Sequence, residues 1–180
     1  MTGRISCRGA LVALLMLTAT LQAGELPVPL RSVEPPLQSV GSGTLRWFGL
    51  HVYDVSLFAE KLPYSPAGTA ALSISYAISI KHHRLVETTL KEWRRLGQGT
   101  AAQHQQWRRQ LDGMWPDVKD GDRLTAFKRR DGPTQFYFGD RLIGEVADPA
   151  FGPAFFAIWL DEKSRYPEVR DRLLGNDKNR

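Results

Sequence analysis

The stretch Gly41-Ser42-Gly43-Thr44-Leu45-Arg46-Trp47-Phe48-Gly49-Leu50-His51-Val52-Tyr53-Asp54-Val55-Ser56-Leu57-Phe58 decides the fold class. From Leu45 to Phe58 apolar residues come in a loose alternation, Leu45, Trp47, Leu50, Val52 on one side and Tyr53, Val55, Leu57 on the other. That is the period of a strand, with Gly49 read as the site of a bulge. Downstream, Leu72, Ile74, Tyr76, Ile78 and Ile80 alternate without a break, which predicts a strand over 71–80. The period then lengthens. Leu85, Thr89, Trp93 and Leu96 lie at i, i+4, i+8 and i+11, one face of a helix that Gly97 ends. Thr100 is placed to cap a second helix carrying Trp107, Leu111 and Met114.

Three short strands follow, Leu124 to Lys128, Thr134 to Phe138 and Arg141 to Val146, joined at Asp131-Gly132 and Gly139-Asp140. Both dipeptides suit hairpin turns. Phe151, Phe155, Ile158 and Trp159 predict a third helix despite Pro153, and Val169, Leu173 and Leu174 a last one ending at Gly175. Strands, helices, a hairpin meander and more helices predict an α+β domain, an antiparallel sheet with helices on one side.

The chain has 180 residues, 42% hydrophobic and 24% charged, which is globular composition and fits one domain. Four prolines among residues 24–37 predict an extended segment leading into the domain at 38–175, and residues 176–180 read as a flexible tail. At the start, Arg4 and Arg8 precede an apolar run from Ala10 to Leu21 and the small-residue sequence Leu21-Gln22-Ala23. That layout predicts a signal peptide over 1–23, cleaved after Ala23, and a periplasmic product. The run is short for a membrane span, and no later stretch is longer. The single cysteine, Cys7, leaves with the signal, so the exported chain carries no thiol, as suits an oxidising compartment. The formal charge is +5, falling to +3 once Arg4 and Arg8 are removed, which gives little reason to expect nucleic acid as a partner.

Motifs that carry chemistry by themselves are missing. There is no His-Glu-x-x-His, no phosphate loop, no dinucleotide fingerprint and no Gly-x-Ser-x-Gly, and no cofactor is expected. Asp117, Asp120 and Asp122 lack the spacing of a calcium loop and read as a solvated turn. His82 and His83 are adjacent, so they do not share a helix face and read as a polar helix start. Arg46 and Tyr53 stand out instead. Seven residues apart, they face opposite ways on a regular strand, and one bulge brings them together. A guanidinium beside a phenol in an apolar cleft holds a carboxylate or phenolate.

Residues 41–58 resemble the opening motif of chalcone isomerase-like proteins. Asp117-Val118-Lys119-Asp120-Gly121-Asp122 is similar to their turn before the meander. The helix ending Phe156-Ala157-Ile158-Trp159-Leu160, and Leu173-Leu174-Gly175, resemble the bacterial branch. The resemblance implies an open-faced β-sandwich, an antiparallel sheet covered by helices. In the plant enzymes an Arg early in this motif steadies the phenolate that closes a flavanone ring. Non-catalytic relatives use an Arg and a Tyr on a fatty-acid carboxylate. Arg46 matches that Arg, and Tyr53 falls where the fatty-acid binders carry a Tyr. Residues 97–106 hold neither the Tyr nor the Asn of the enzymes' later active-site segment. The reading is therefore a binder of a small amphipathic acid, fatty or aromatic, anchored by Arg46 and Tyr53. The alternatives are an isomerase or intramolecular lyase with Arg46 and Tyr53 as catalytic residues, and a scaffold meeting a partner protein.

Overall fold

A computed structural model describes residues 25–176. The predicted signal peptide with its expected cleavage site, and residues 177–180 of the predicted tail, lie outside the described residues. Six strands form one antiparallel sheet in sequence order: β1 (Gln38–Trp47), β2 (Leu50–Ala59), β3 (Ala70–Tyr76), β4 (Arg123–Lys128), β5 (Thr134–Phe138) and β6 (Arg141–Val146). Among the described residues four α-helices accompany it: α1 (His82–Leu96), α2 (Ala101–Met114), α3 (Phe151–Leu160) and α4 (Pro167–Leu173). This is the α+β architecture of the sequence reading.

One segment departs from that reading. Leu45 to Phe58 is not a single bulged strand but the two arms of a hairpin, reversed by Phe48-Gly49. Both residues have positive φ, 48° and 79°, as a type I′ turn requires. A bulge does exist, one step into β2. Leu45 pairs with Tyr53 and Arg46 with His51, so Val52 is the extra residue. The strand expected over 71–80 also ends early, at Tyr76, and Ile80 only bridges to Val118.

The helices pack on one face of the sheet. Val55, Leu57, Leu72, Ile74, Leu124 and Phe136 meet Trp93 of α1, Trp107 and Leu111 of α2, and Phe151 and Phe155 of α3. Edge-to-face contacts link the rings, with Trp93 against Trp107 at 4.9 Å and against Phe151 at 5.6 Å. The other face is covered by the N-terminal segment. A 3₁₀ turn at Val28–Leu30 sets Leu26 and Leu30 against Phe58, Ala71, Phe127 and Tyr137. Helix α2 starts at the expected Thr100, whose hydroxyl accepts from the Gln103 backbone while the Gln103 side chain accepts from Thr100 N–H. Pro153 is tolerated because it lies in the first turn of α3, where no intrahelical N–H is required.

Lys128, at the end of β4, turns inward rather than into solvent. Its ammonium donates to the carbonyls of Pro66 and Gly68 and lies 5.6 Å from the Phe156 ring centroid. Burial brings its pKa down from 10.5 to about 8. Below pH 8 both folded and unfolded chains carry this proton, and the burial penalty is complete. Between pH 8 and 10.5 the unfolded chain binds more protons than the folded one, so stability rises with pH. A neutral amine keeps two N–H groups, enough for the two carbonyls. Buried tyrosines reverse the trend above pH 10, since the unfolded phenols ionise first. Thermal melts from pH 8 to 10 are expected to show an upward slope that Lys128→Met lacks. Parallel profiles for the two proteins would contradict this.

A candidate binding cleft under helix α1

Helix α1 borders a cleft. Its inner stripe, Leu85, Thr89 and Glu92, and its outer stripe, Arg84, Thr88 and Lys91, each follow i, i+4, i+7 spacing and line this cleft of about 510 Å³. The floor is sheet: Ile74 and Tyr76 on β3 and Leu124 on β4. Phe155, Ile158 and Trp159 of α3 form the far wall, with Trp115 beside them. Leu45, Trp47, Val52 and Tyr53 of the β1–β2 hairpin form the near wall. Ile78 and Ile80 also line it, which is why their alternation outlasts the strand. The surface is mostly apolar with few polar groups, the usual make-up of a small-molecule site.

The polar groups converge near Tyr53. The Trp159 indole N–H donates to the Tyr53 hydroxyl at 3.0 Å. The Tyr53 hydroxyl proton is then left to donate elsewhere. Burial holds this phenol above the ordinary tyrosine range, and the Trp159 bond offsets only part of that, so it stays protonated through neutral pH. Close by, Glu92 is buried and bracketed by two guanidiniums. Arg95 Nε donates to one carboxylate oxygen at 2.7 Å and Arg165 Nε to the other at 3.0 Å. Arg95 also donates to the Lys163 carbonyl at 2.7 Å, which fixes the loop carrying Arg165 and Tyr166. With its carboxylate so engaged, this end of the cleft offers hydrogen-bond donors and positive charge rather than a proton acceptor.

Of the two residues singled out by sequence, Tyr53 lines the cleft and Arg46 does not. Arg46 stands between Leu45 and Trp47, which both face the cleft, so strand alternation sends its side chain the other way, where it is exposed. The bulge at Val52 turns Val52 and Tyr53 toward the cleft and leaves Arg46 behind. The residues that sequence reasoning missed are Glu92 and Arg165. Glu92 had a signal: an acid in the same stripe as Leu85 and Thr89. Arg165 sits in a loop with no pattern to mark it. Asp120 and Asp122 belong to a turn, as expected, with Asp122 accepting from the Lys119 backbone N–H at 2.9 Å, while Asp117 caps α1. Asp117 accepts from Lys81 Nζ at 2.8 Å and from the His82 backbone N–H at 2.9 Å, and these bonds hold its carboxyl well below the usual range. Among the described residues no group of three or more His, Cys, Asp or Glu is placed to hold a metal. No described helix is long and apolar enough to cross a membrane.

Comparison with known proteins agrees with this architecture. A family model for chalcone isomerase-like proteins matches residues 19–175. The crystal structure of a fatty-acid binding protein from Arabidopsis thaliana superposes with a TM-score of 0.60 at 12% identity, covering 81% of this chain and 90% of that one. At that identity the likeness is one of fold. No curated protein matches the sequence.

Proposed function

This chain belongs to the chalcone isomerase-like family, and on that premise we propose that its cleft binds a small amphipathic acid without transforming it. The observation that carries the reading is the cleft itself: about 510 Å³, apolar along the sheet and α3, with the Tyr53 hydroxyl and the Arg165 guanidinium among its polar lining. The ligand's hydrocarbon part lies against Ile74, Tyr76, Leu124 and Phe155. Its carboxylate meets the Tyr53 hydroxyl and the remaining N–H groups of Arg165. Arg165 thus takes the part that the family resemblance gives to Arg46, while Tyr53 keeps its own. That the Arabidopsis protein of like fold is a fatty-acid binding protein supports a fatty acid as the first ligand to try. The proposal includes export to the periplasm, supported by the basic start, the apolar run from Ala10 and the absence of cysteine after residue 23.

The test is direct titration of dodecanoic acid into the protein in lipid-free buffer, followed by calorimetry. Saturable binding is expected, and Tyr53→Phe is expected to weaken it about fivefold, the worth of one hydrogen bond of about 1 kcal/mol. No binding by the wild-type protein, or equal binding by Tyr53→Phe, removes the reading or this anchor respectively.

A further inference from the structure

The tip of the β1–β2 hairpin is apolar where a hairpin tip is normally polar. Phe48 is 93% exposed, Trp47 61% and Leu50 53%. The Phe48 ring touches Trp47 edge-on at 5.2 Å. Its backbone is also unfavourable. At φ 48° it occupies the first central position of a type I′ turn, which favours Asn, Asp or Gly over a bulky aromatic. The described fold gains no burial from that choice. An exposed aromatic at an unfavourable φ, packed on Trp47 alone, points to a role outside the fold.

We propose that this tip inserts into the interface of an anionic lipid bilayer and sets the mouth of the cleft against the membrane. Four observations favour lipid over a protein partner. The tip is a convex two-residue turn, which enters a soft interface but needs a matching socket in a protein. Its residues are Trp, Phe and Leu, the types that sit at the boundary between headgroups and acyl chains. Arg46 lies exposed just behind them, and Lys91 and Arg84, the latter paired with Glu87, line the cleft that Trp47 also borders, so the side of the molecule that carries the tip offers cationic groups to anionic headgroups. Finally, Trp47 belongs to both the tip and the cleft wall. An acid leaving the bilayer beside Trp47 reaches the floor of the cleft without its chain crossing water. This last step rests on the binding reading above; the docking itself does not.

The experiment compares wild-type protein with Phe48→Asn. Asn-Gly suits a type I′ turn, so the variant is expected to melt at the same or a higher temperature. Phe48 does not line the cleft, and dodecanoic acid binding in lipid-free buffer is expected to be unchanged. Flotation with phosphatidylcholine vesicles containing phosphatidylglycerol is expected to recover the wild type, with added salt weakening recovery. Phe48→Asn is expected to bind these vesicles about tenfold more weakly, since one apolar anchor of three is lost. Equal flotation of both proteins overturns the proposal and assigns attachment to another segment, such as the apolar run at 10–21. Absence of flotation by either protein overturns it as well. So does a concentration-dependent dimer that Phe48→Asn abolishes without any vesicle binding, because the tip is then a contact between copies. Acid binding is read separately in lipid-free buffer, so failure of the cleft reading and failure of docking give different results.

Discussion

Gly41→Ala is expected to destabilise the protein by about 3 kcal/mol, the upper range for overpacking, and to lower its melting temperature by about 10 °C. The reason is a close approach of backbone to backbone. A Cβ on Gly41 would run into the carbonyl oxygen of Arg172 and stand 2.8 Å from that of Leu173. Neither is the movable end of a side chain, so α4 must lift from β1 or β1 must leave β2. Either movement opens the packing of Val169 and Leu173, both buried. The neighbours supply controls. Gly43→Ala meets a Val169 methyl at 3.1 Å and the Val169 carbonyl oxygen at 3.3 Å, contacts that a shift of a few tenths of an ångström relieves, and should cost about 1 kcal/mol. Ser42→Ala is exposed and should stay within about 0.5 kcal/mol. Chemical denaturation of the three variants checks the order. If Gly41→Ala unfolds where Ser42→Ala does, α4 does not seat on β1 as described.

The same segment shows where the sequence was legible. The meander read correctly because Asp131-Gly132 and Gly139-Asp140 announce their turns. The helices read correctly because Leu85, Thr89 and Trp93, Trp107 and Leu111, and Phe151 and Phe155 each repeat at helical spacing, and Thr100 marks a start. The first hairpin was hidden because its turn begins with Phe48. A bulky aromatic at positive φ gives no turn signal, and the run Leu45-Arg46-Trp47-Phe48 continues a strand pattern without interruption. That one misreading carried Arg46 into the site, since a bulge and a hairpin place it on different faces. Ile78 and Ile80 misled for another reason. Alternation reports which side is buried, and here the side buried against the cleft continues past the last ladder partner. In the sequence the prolines around Leu26 and Leu30 mask their role, yet these residues cover the back of the sheet. Tyr53 was visible as a phenol on the apolar side of a strand. Arg165 was not, because a loop residue acquires its place only through Glu92, more than seventy positions away in sequence.

Arg165→Met should then separate charge recognition from apolar binding. Arg165 gives two of its N–H groups to Glu92 and keeps others for a ligand. A charge-assisted bond to a carboxylate contributes about 2 kcal/mol, so dodecanoic acid is expected to bind about thirtyfold more weakly to the variant. The methyl ester of the same acid carries no charge and keeps the same chain, so its affinity should change by less than about threefold. Methionine retains much of the apolar stem, which keeps the Tyr166 side of the cleft covered. Glu92 keeps Arg95 at 2.7 Å, and a modest fall in melting temperature is expected rather than unfolding. Arg46→Met, by contrast, should leave both affinities unchanged, because that side chain lies outside the cleft. Equal losses for acid and ester would mean that Arg165 only shapes the cleft. A loss confined to Arg46→Met would mean that the hairpin rearranges on binding and that the family's early arginine acts in this chain after all.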